Sequence, residues 1–264
     1  MSTQPANPLQ RVRRGCLVLG AIAVLAVAAC SSGGGQQRTG NERAASYNAQ
    51  LGMAYLHQGD LALAKEKLER ALAQNPRDPS VHSALALLFE SLGNPAKADA
   101  EFRTALQLAP RDPDVLNNYA VYLCRSGRTD EGVRHFEEAA HNALYRTPEA
   151  AYTNAGVCLR AAKRDEEARK NFRQALQLRP NFAEAAFQLG DLEFQRGKLT
   201  DARAQIDTFL GSFEATPDLL LLGVRVTRAQ GDRMAAERFA RRLRVDFPGS
   251  DQARTLAELD RNRG

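Results

Sequence analysis

Residues 79–112 read PSVHSALALLFESLGNPAKADAEFRTALQLAPRD, and residues 149–182 read EAAYTNAGVCLRAAKRDEEARKNFRQALQLRPNF. Each of these 34-residue segments has a small residue at position 8, a second one at position 20 and a Phe at position 24. This spacing indicates two helices joined by a turn. Small residues let the helices cross closely, and the large residue fills the space beside the crossing.

The same pattern recurs along most of the chain. The second small residue appears at steps of 34, 34, 36, 34 and 33 residues, as Ala64, Ala98, Gly132, Ala168, Ala202 and Ala235. A large apolar residue follows four positions later each time, as Leu68, Phe102, Phe136, Phe172, Ile206 and Phe239. A single unit of this kind cannot bury its own apolar face, whereas six stacked units can.

This pattern resembles the tetratricopeptide-repeat (TPR) family. The resemblance implies an all-α fold, a right-handed superhelical solenoid of six TPR helix–turn–helix repeats with a C-terminal capping helix. We place the repeats within 44–249, at about 45–78, 79–112, 113–148, 149–182, 183–215 and 216–249, and the capping helix and tail at 250–264. The third repeat is two residues longer than 34, which predicts a lengthened connection through ALYRTP at 143–148.

Residues 1–29 predict a cleaved signal peptide. Three arginines precede an apolar run at 15–29 that is too short to span a bilayer comfortably. The sequence VAAC at 27–30 resembles the lipobox of bacterial lipoproteins, which implies that Cys30 carries covalent acyl chains such as palmitate. The alternative is an ordinary signal peptide or membrane anchor with an incidental cysteine.

The residues after Cys30 predict how the folded body is held. The segment 31–43 is polar and rich in glycine, so we expect residues 30–43 to form a lipidated, flexible tether. Ser31, rather than Asp, follows the cysteine, and the lipoprotein resemblance then implies an outer-membrane anchor. We therefore expect a lipid-anchored protein whose body faces the periplasm.

Net charge argues against a nucleic-acid partner. The full chain has 36 Lys and Arg against 31 Asp and Glu, a net charge of +5. Residues 1–29 contain three arginines and no acidic residue, so cleavage leaves 33 against 31, or +2. A charge this close to zero does not favour nucleic-acid binding.

The sequence holds no recognisable catalytic group. It has no Gly-rich loop followed by Lys-Ser or Lys-Thr, and His135 and His141 are six residues apart, on different sides of a helix. His82 falls at a core position of its repeat, so we expect it to be packed or hydrogen-bonded. We therefore expect no enzyme activity, no metal and no cofactor other than the covalent lipid.

Two cysteines remain in the mature chain, Cys124 and Cys158, in the first helices of repeats three and four. An even pair in an oxidising compartment is a candidate disulfide. The alternative is two buried, small apolar residues. A bridge requires Cα atoms within about 7 Å of each other, which the sequence does not fix.

Positions 2, 5, 9 and 12 of each repeat usually line the inner groove of stacked TPR units. We select as a partner-binding groove Met53, Leu56, Leu87, Asn117, Val121, Val157 and Phe187. The same positions give Leu220 and Val224 in the sixth repeat. A groove with aliphatic and Met side chains suits an amphipathic or extended peptide segment. The alternative is that some of these residues belong to the core between repeats.

The stretch 116–176 carries a more specific resemblance. It contains NNY at 117–119, NALYRTPE at 142–149 and AYTNAGVCL at 151–159. Over about 43–262 the chain is similar to the type IV pilus biogenesis and stability lipoproteins, the pilotins built of six TPR units.

The pilotin resemblance implies particular partners. It implies binding to subunits of the outer-membrane secretin of the type IV pilus, promotion of their localisation and multimerisation, and delivery by the lipoprotein export machinery. Two other classes stay open at this point. One is a periplasmic TPR adaptor for outer-membrane protein assembly or for peptidoglycan enzymes, and the other is a remote enzyme.

Overall fold

The computed structural model describes residues 33–261, with side chains described from Gly40 onward. Within this range the structure is entirely helical apart from turns and short connections. Thirteen helices are described: α1 Gly33–His57, α2 Leu61–Gln74, α3 Pro79–Ser91, α4 Pro95–Leu108, α5 Pro113–Arg125, α6 Thr129–Ala140, α7 Pro148–Ala161, α8 Asp165–Leu178, α9 Ala183–Gln195, α10 Leu199–Ser212, α11 Pro217–Ala229, α12 Arg233–Asp246 and α13 Asp251–Arg261. The predicted signal peptide, Cys30 and residues 262–264 lie outside the described range.

The predicted tether differs from the structure. Residues 33–43 were expected to be flexible, but from Gly33 onward they belong to α1. Extending a helix that is already formed adds one hydrogen bond for each residue fixed, and the Gln, Arg and Glu residues of 36–43 tolerate a helix well. The chain divides into two units after Asn41, and the solenoid belongs to the second, 42–264.

Helix starts and stops follow from local sequence. Asp60, Asp78, Asn94, Asp112 and Asp232 cap helices by accepting hydrogen bonds from backbone N–H groups of the first turn. Such caps satisfy donors that a helix start otherwise leaves free. Proline follows the cap of α3, α4 and α5, where its missing N–H costs nothing. The helices α1 to α12 pack in consecutive pairs, one pair to each of the six repeats, and α13 is the predicted capping helix.

The helices form two layers. Each first helix from α3 onward packs against the next first helix, in the order α3, α5, α7, α9 and α11, and α11 packs against α13. The backbones of the second helices lie closest to first helices and, for α12, to the capping helix. The core is therefore a row of local clusters, such as Phe102 with Tyr119 and Tyr122, at 5.4 and 5.2 Å between ring centroids. This arrangement confirms the all-α TPR solenoid.

The extra residues of repeat three lie between α6 and α7, as predicted. Asn142 Nδ2 donates to the carbonyl oxygen of Arg111 at 2.7 Å, which ties the connection to the preceding repeat. Tyr145 packs against the cluster that contains Leu116 and Phe136, and burial raises the pKa of its hydroxyl. Leu144 beside it is 86% exposed.

The turn of the fourth repeat holds a lysine in a left-handed backbone conformation that glycine adopts more easily. Five repeats place a glycine with positive φ between their two helices, whereas Lys163 takes that place in repeat four at φ 62°. A left-handed conformation costs a non-glycine residue about 1–2 kcal/mol. Glycine avoids this cost, but it loses more conformational entropy on folding, so the net gain in stability is smaller. We expect Lys163→Gly to raise the free energy of unfolding by about 0.5–1 kcal/mol in urea titrations.

The matched control for this prediction is the preceding residue. Ala162 has φ −82°, which any residue adopts, so Ala162→Gly should lower stability instead. Equal effects of the two substitutions would contradict the role assigned to the positive φ.

Candidate functional site

The first helices of the six repeats are α1, α3, α5, α7, α9 and α11. They present a shared surface, which we call the first-helix surface. Polar contacts cross it between successive first helices. Arg125 Nη1 of α5 lies 3.3 Å from Glu90 Oε2 of α3, and Asn154 of α7 donates to Asn117 of α5 at 3.1 Å. Further along, Arg160 of α7 donates to Gln188 of α9 at 3.0 Å. These contacts place the predicted groove positions of neighbouring repeats side by side.

The N-terminal part of the first-helix surface is apolar. Met53 and Leu56 are half-buried and pack against the cluster that contains Leu68 and Leu85. Leu87 is also half-buried, against the cluster of Phe102 and its neighbours. These side chains therefore serve the core on one side and remain open to a partner on the other.

A disulfide lies in the middle of the first-helix surface. Cys124 and Cys158 are bonded, with 5.6 Å between their Cα atoms, and the bond joins α5 directly to α7. The sequence left this bridge and a pair of free thiols both open. The structure resolves the choice in favour of the bridge, because the longer third repeat brings position 12 of one helix beside position 10 of the next.

Beside the disulfide the first-helix surface forms a cavity of ≈ 280 Å³, which we call the α5–α7 hollow. Its walls include Val121, Cys124, Asn154, Val157, Cys158 and Ala161. Val157 is 41% exposed. Two of the predicted groove residues, Val121 and Val157, thus meet in one hollow, and Asn117 adjoins it through Asn154.

The C-terminal part of the first-helix surface is more charged. Phe187 is half-buried against the cluster of Ile206 and Leu222, so, like Met53, it serves the core on one side and stays open on the other. Asp191 is paired with Arg160 and lies 3.9 Å from Arg225. In the fifth repeat the groove therefore combines apolar side chains with charged ones.

Two predicted lining positions were wrong. Leu220 and Val224 are fully buried in a cluster with Leu256 of the capping helix, so they do not reach the first-helix surface. The capping helix covers these positions because the last repeat has no following repeat to pack against. Conversely, the sequence did not predict Asn154 as a lining residue, because it occupies position 6 of its repeat. The hydrogen bond to Asn117 shows that it reaches this surface.

The histidines and acidic side chains of the described residues form no candidate metal site. Residues 33–261 contain no group of three or more His, Cys, Asp or Glu side chains that could hold a metal ion. His82 is buried, with Nδ1 2.6 Å from Glu101 Oε2 and Nε2 3.0 Å from the carbonyl oxygen of Pro76, as expected for a packed histidine. None of the described helices has the length and apolarity needed to cross a membrane.

Repeated helix pairs, turn glycines and a continuous first-helix surface define this chain as a tetratricopeptide-repeat protein. Family models for the tetratricopeptide repeat match residues 49–114 and 166–218, and residues 149–182. The type IV pilus assembly protein PilF of Pseudomonas aeruginosa is 30% identical over 211 residues, which cover 80% of this chain and 84% of PilF. The chain therefore belongs to the family of type IV pilus biogenesis proteins that includes PilF and PilW.

Solved structures agree with this assignment. The structure of Pseudomonas aeruginosa PilF superposes with a TM-score of 0.63 at 30% identity, over 83% of this chain and 99% of PilF. The structure of PilW, described as a widely conserved type IV pilus biogenesis factor, gives a TM-score of 0.64 at 28% identity, over 81% of this chain and 98% of PilW. A tetratricopeptide-repeat protein from Parabacteroides merdae, at 19% identity and a TM-score of 0.57, shares the fold alone.

Proposed function

We propose that this protein is an outer-membrane lipoprotein pilotin, which binds secretin subunits and promotes their localisation and multimerisation for type IV pilus assembly. The observation that carries the proposal is its 30% identity to a type IV pilus assembly protein over most of both chains. A repeat array with an apolar binding surface supports a role in holding another protein. The activity proposed is binding, without catalysis or a bound cofactor.

The proposed anchor rests on the N-terminal sequence. The lipobox at 27–30 supports cleavage before Cys30 and acylation of its thiol and amine, and Ser31 supports export to the outer membrane. Several acyl chains give a durable anchor, because each buried CH₂ contributes about 0.8 kcal/mol. The lipoprotein export machinery would then carry the protein, together with its bound secretin subunit, to the outer membrane.

The proposed contact is the apolar part of the first-helix surface. Met53, Leu56 and Leu87 are held in place by the core beneath them, so a partner segment can bury their open sides at little cost in side-chain entropy. An adaptor for outer-membrane protein assembly or peptidoglycan enzymes could use the same surface, so the partner must be identified by experiment.

Deletion of the gene is the most direct test of the proposed function. We expect the deletion strain to lose secretin multimers on denaturing gels and to lose twitching motility, and the intact gene to restore both. Capture of membrane proteins with the lipidated protein should recover the secretin. Recovery of barrel-assembly or peptidoglycan enzymes without secretin would contradict the pilotin function and support the adaptor.

Charge placed on the apolar part of the first-helix surface should weaken secretin binding. We expect Met53→Glu or Leu87→Glu to raise the Kd for the secretin periplasmic region at least about tenfold, because a carboxylate would be buried without a partner. Isothermal titration measures the Kd, and circular dichroism checks that the array stays folded. Leu144→Glu is the control, since Leu144 is 86% exposed on the α6–α7 connection. An unchanged Kd for both groove variants would remove these residues from the site.

A further inference from the structure

The α5–α7 hollow has the size and lining of a binding site for one side chain. Its volume of ≈ 280 Å³ is just below the range of small-molecule sites, which are about 300–1,000 Å³. Val121 and Val157 give it aliphatic walls, and Phe136 also lines it. A hollow of this kind fits one large aliphatic or aromatic side chain better than a separate ligand.

The polar edge of the hollow matches the main chain of a peptide. Asn154 Nδ2 donates to Asn117 Oδ1, so the NH₂ group of Asn117 and the carbonyl oxygen of Asn154 keep free capacity. Among the described residues neither amide makes another hydrogen bond. One donor and one acceptor are therefore free to bond to the C=O and N–H groups of an extended peptide.

The charges near the hollow are already paired. Arg125 borders it, and its guanidinium Nη1 lies 3.3 Å from Glu90 Oε2 on the neighbouring helix. On the C-terminal side, Arg160 is bonded to Gln188 and Asp191. Apart from Arg125, which is already paired with Glu90, the hollow is lined by uncharged side chains, so an apolar side chain loses less hydration on entering it than a charged one does.

The disulfide fixes the width of the hollow. Cys124 and Cys158 lie in its opposite walls and join α5 to α7 by a covalent bond. Walls that cannot separate do not have to be ordered when a partner binds, and this preorganisation favours affinity.

We propose that the α5–α7 hollow holds one aliphatic or aromatic side chain of an extended, uncharged secretin segment, whose main chain bonds to Asn117 and Asn154. The inference rests on the proposed function and deepens it, because it gives the bound segment a conformation and an anchor residue. It also extends the site beyond Met53, Leu56 and Leu87, by two repeats.

Overlapping 12-residue peptides that tile the periplasmic part of the secretin provide the test, with binding measured by fluorescence anisotropy against the folded chain. We expect at least one peptide with an uncharged, apolar centre to bind. Val157→Asp should weaken that peptide about tenfold or more, since it places a charge in the hollow. Asn154→Ala should weaken it about 3- to 10-fold, which corresponds to the loss of one or two hydrogen bonds. Replacement of the peptide's central apolar residue by Asp should abolish binding.

Val245→Asp is the matched control, because Val245 is 70% exposed on α12, outside the first-helix surface. It should leave peptide binding unchanged. Equal binding by wild type and Val157→Asp, or an equal loss with Val245→Asp, would overturn the inference. If intact secretin binds while every peptide fails, the inference fails and the proposed function stands. If intact secretin does not bind the wild-type protein, both fail.

Discussion

Reduction of the Cys124–Cys158 disulfide should lower the free energy of unfolding by about 3–4 kcal/mol, one of the two largest effects that we expect from any single change. The cysteines are 34 residues apart in sequence, and the entropy of closing a loop of this length in the unfolded chain sets the magnitude. The bond also joins two first helices that otherwise hold together through side-chain packing and the Asn154–Asn117 hydrogen bond. Repeats three and four should therefore lose stability together.

Urea unfolding with and without a thiol reductant measures this effect. The double variant Cys124→Ser/Cys158→Ser should unfold at the lower urea concentration seen for the reduced wild type, and reductant should not lower it further. This comparison separates loss of the bond from other effects of the reductant. An identical transition for oxidised and reduced wild type would show that the bond contributes nothing to stability.

Most of the fold could be predicted from the repeat spacing. The small residues at Ala98 and Ala168 and the phenylalanines four positions later define the helix crossings, and both phenylalanines are fully buried. The start of the array was predicted less well. Residues 33–43 contain four glycines, which favour a tether, but the cooperativity of helix extension from α1 prevails over this local preference.

The candidate site could be predicted only where position in the repeat decides exposure. Val121 and Val157 line the first-helix surface as their positions require. Leu220 and Val224 hold positions 5 and 9 of the sixth repeat, yet the capping helix buries them. The repeat pattern does not describe the contacts of that helix. The place of Asn154 on this surface is shown by its hydrogen bond to Asn117, which lies 37 residues earlier on another helix. The disulfide depends on the distance between the same two helices. Such contacts between repeats depend on how the helices stack, which the spacing of residues in the sequence does not determine.

Gly132→Ala should destabilise the protein by about 2–3 kcal/mol, at the upper end of what overpacking costs. Gly132 lies where α6 crosses α5. A Cβ atom at this position would lie 2.5 Å from Cys124 Sγ and 2.9 Å from the carbonyl oxygen of Ala120. One of these atoms belongs to the backbone and the other to a disulfide, so neither can move aside as the end of a free side chain could. Urea unfolding of the oxidised variant measures the loss.

Gly211→Ala is the control, because Gly211 is exposed in α10 and a Cβ atom there would meet no atom within 4 Å. It should be neutral or stabilising by up to about 1 kcal/mol, the helix-propensity difference between the two residues. The contact with Cys124 adds a second expectation. Once the disulfide is reduced, the Cys124 side chain can rotate away, so Gly132→Ala should cost less in reduced protein than in oxidised protein. Equal costs in the two redox states would show that the Ala120 carbonyl alone opposes the added methyl group.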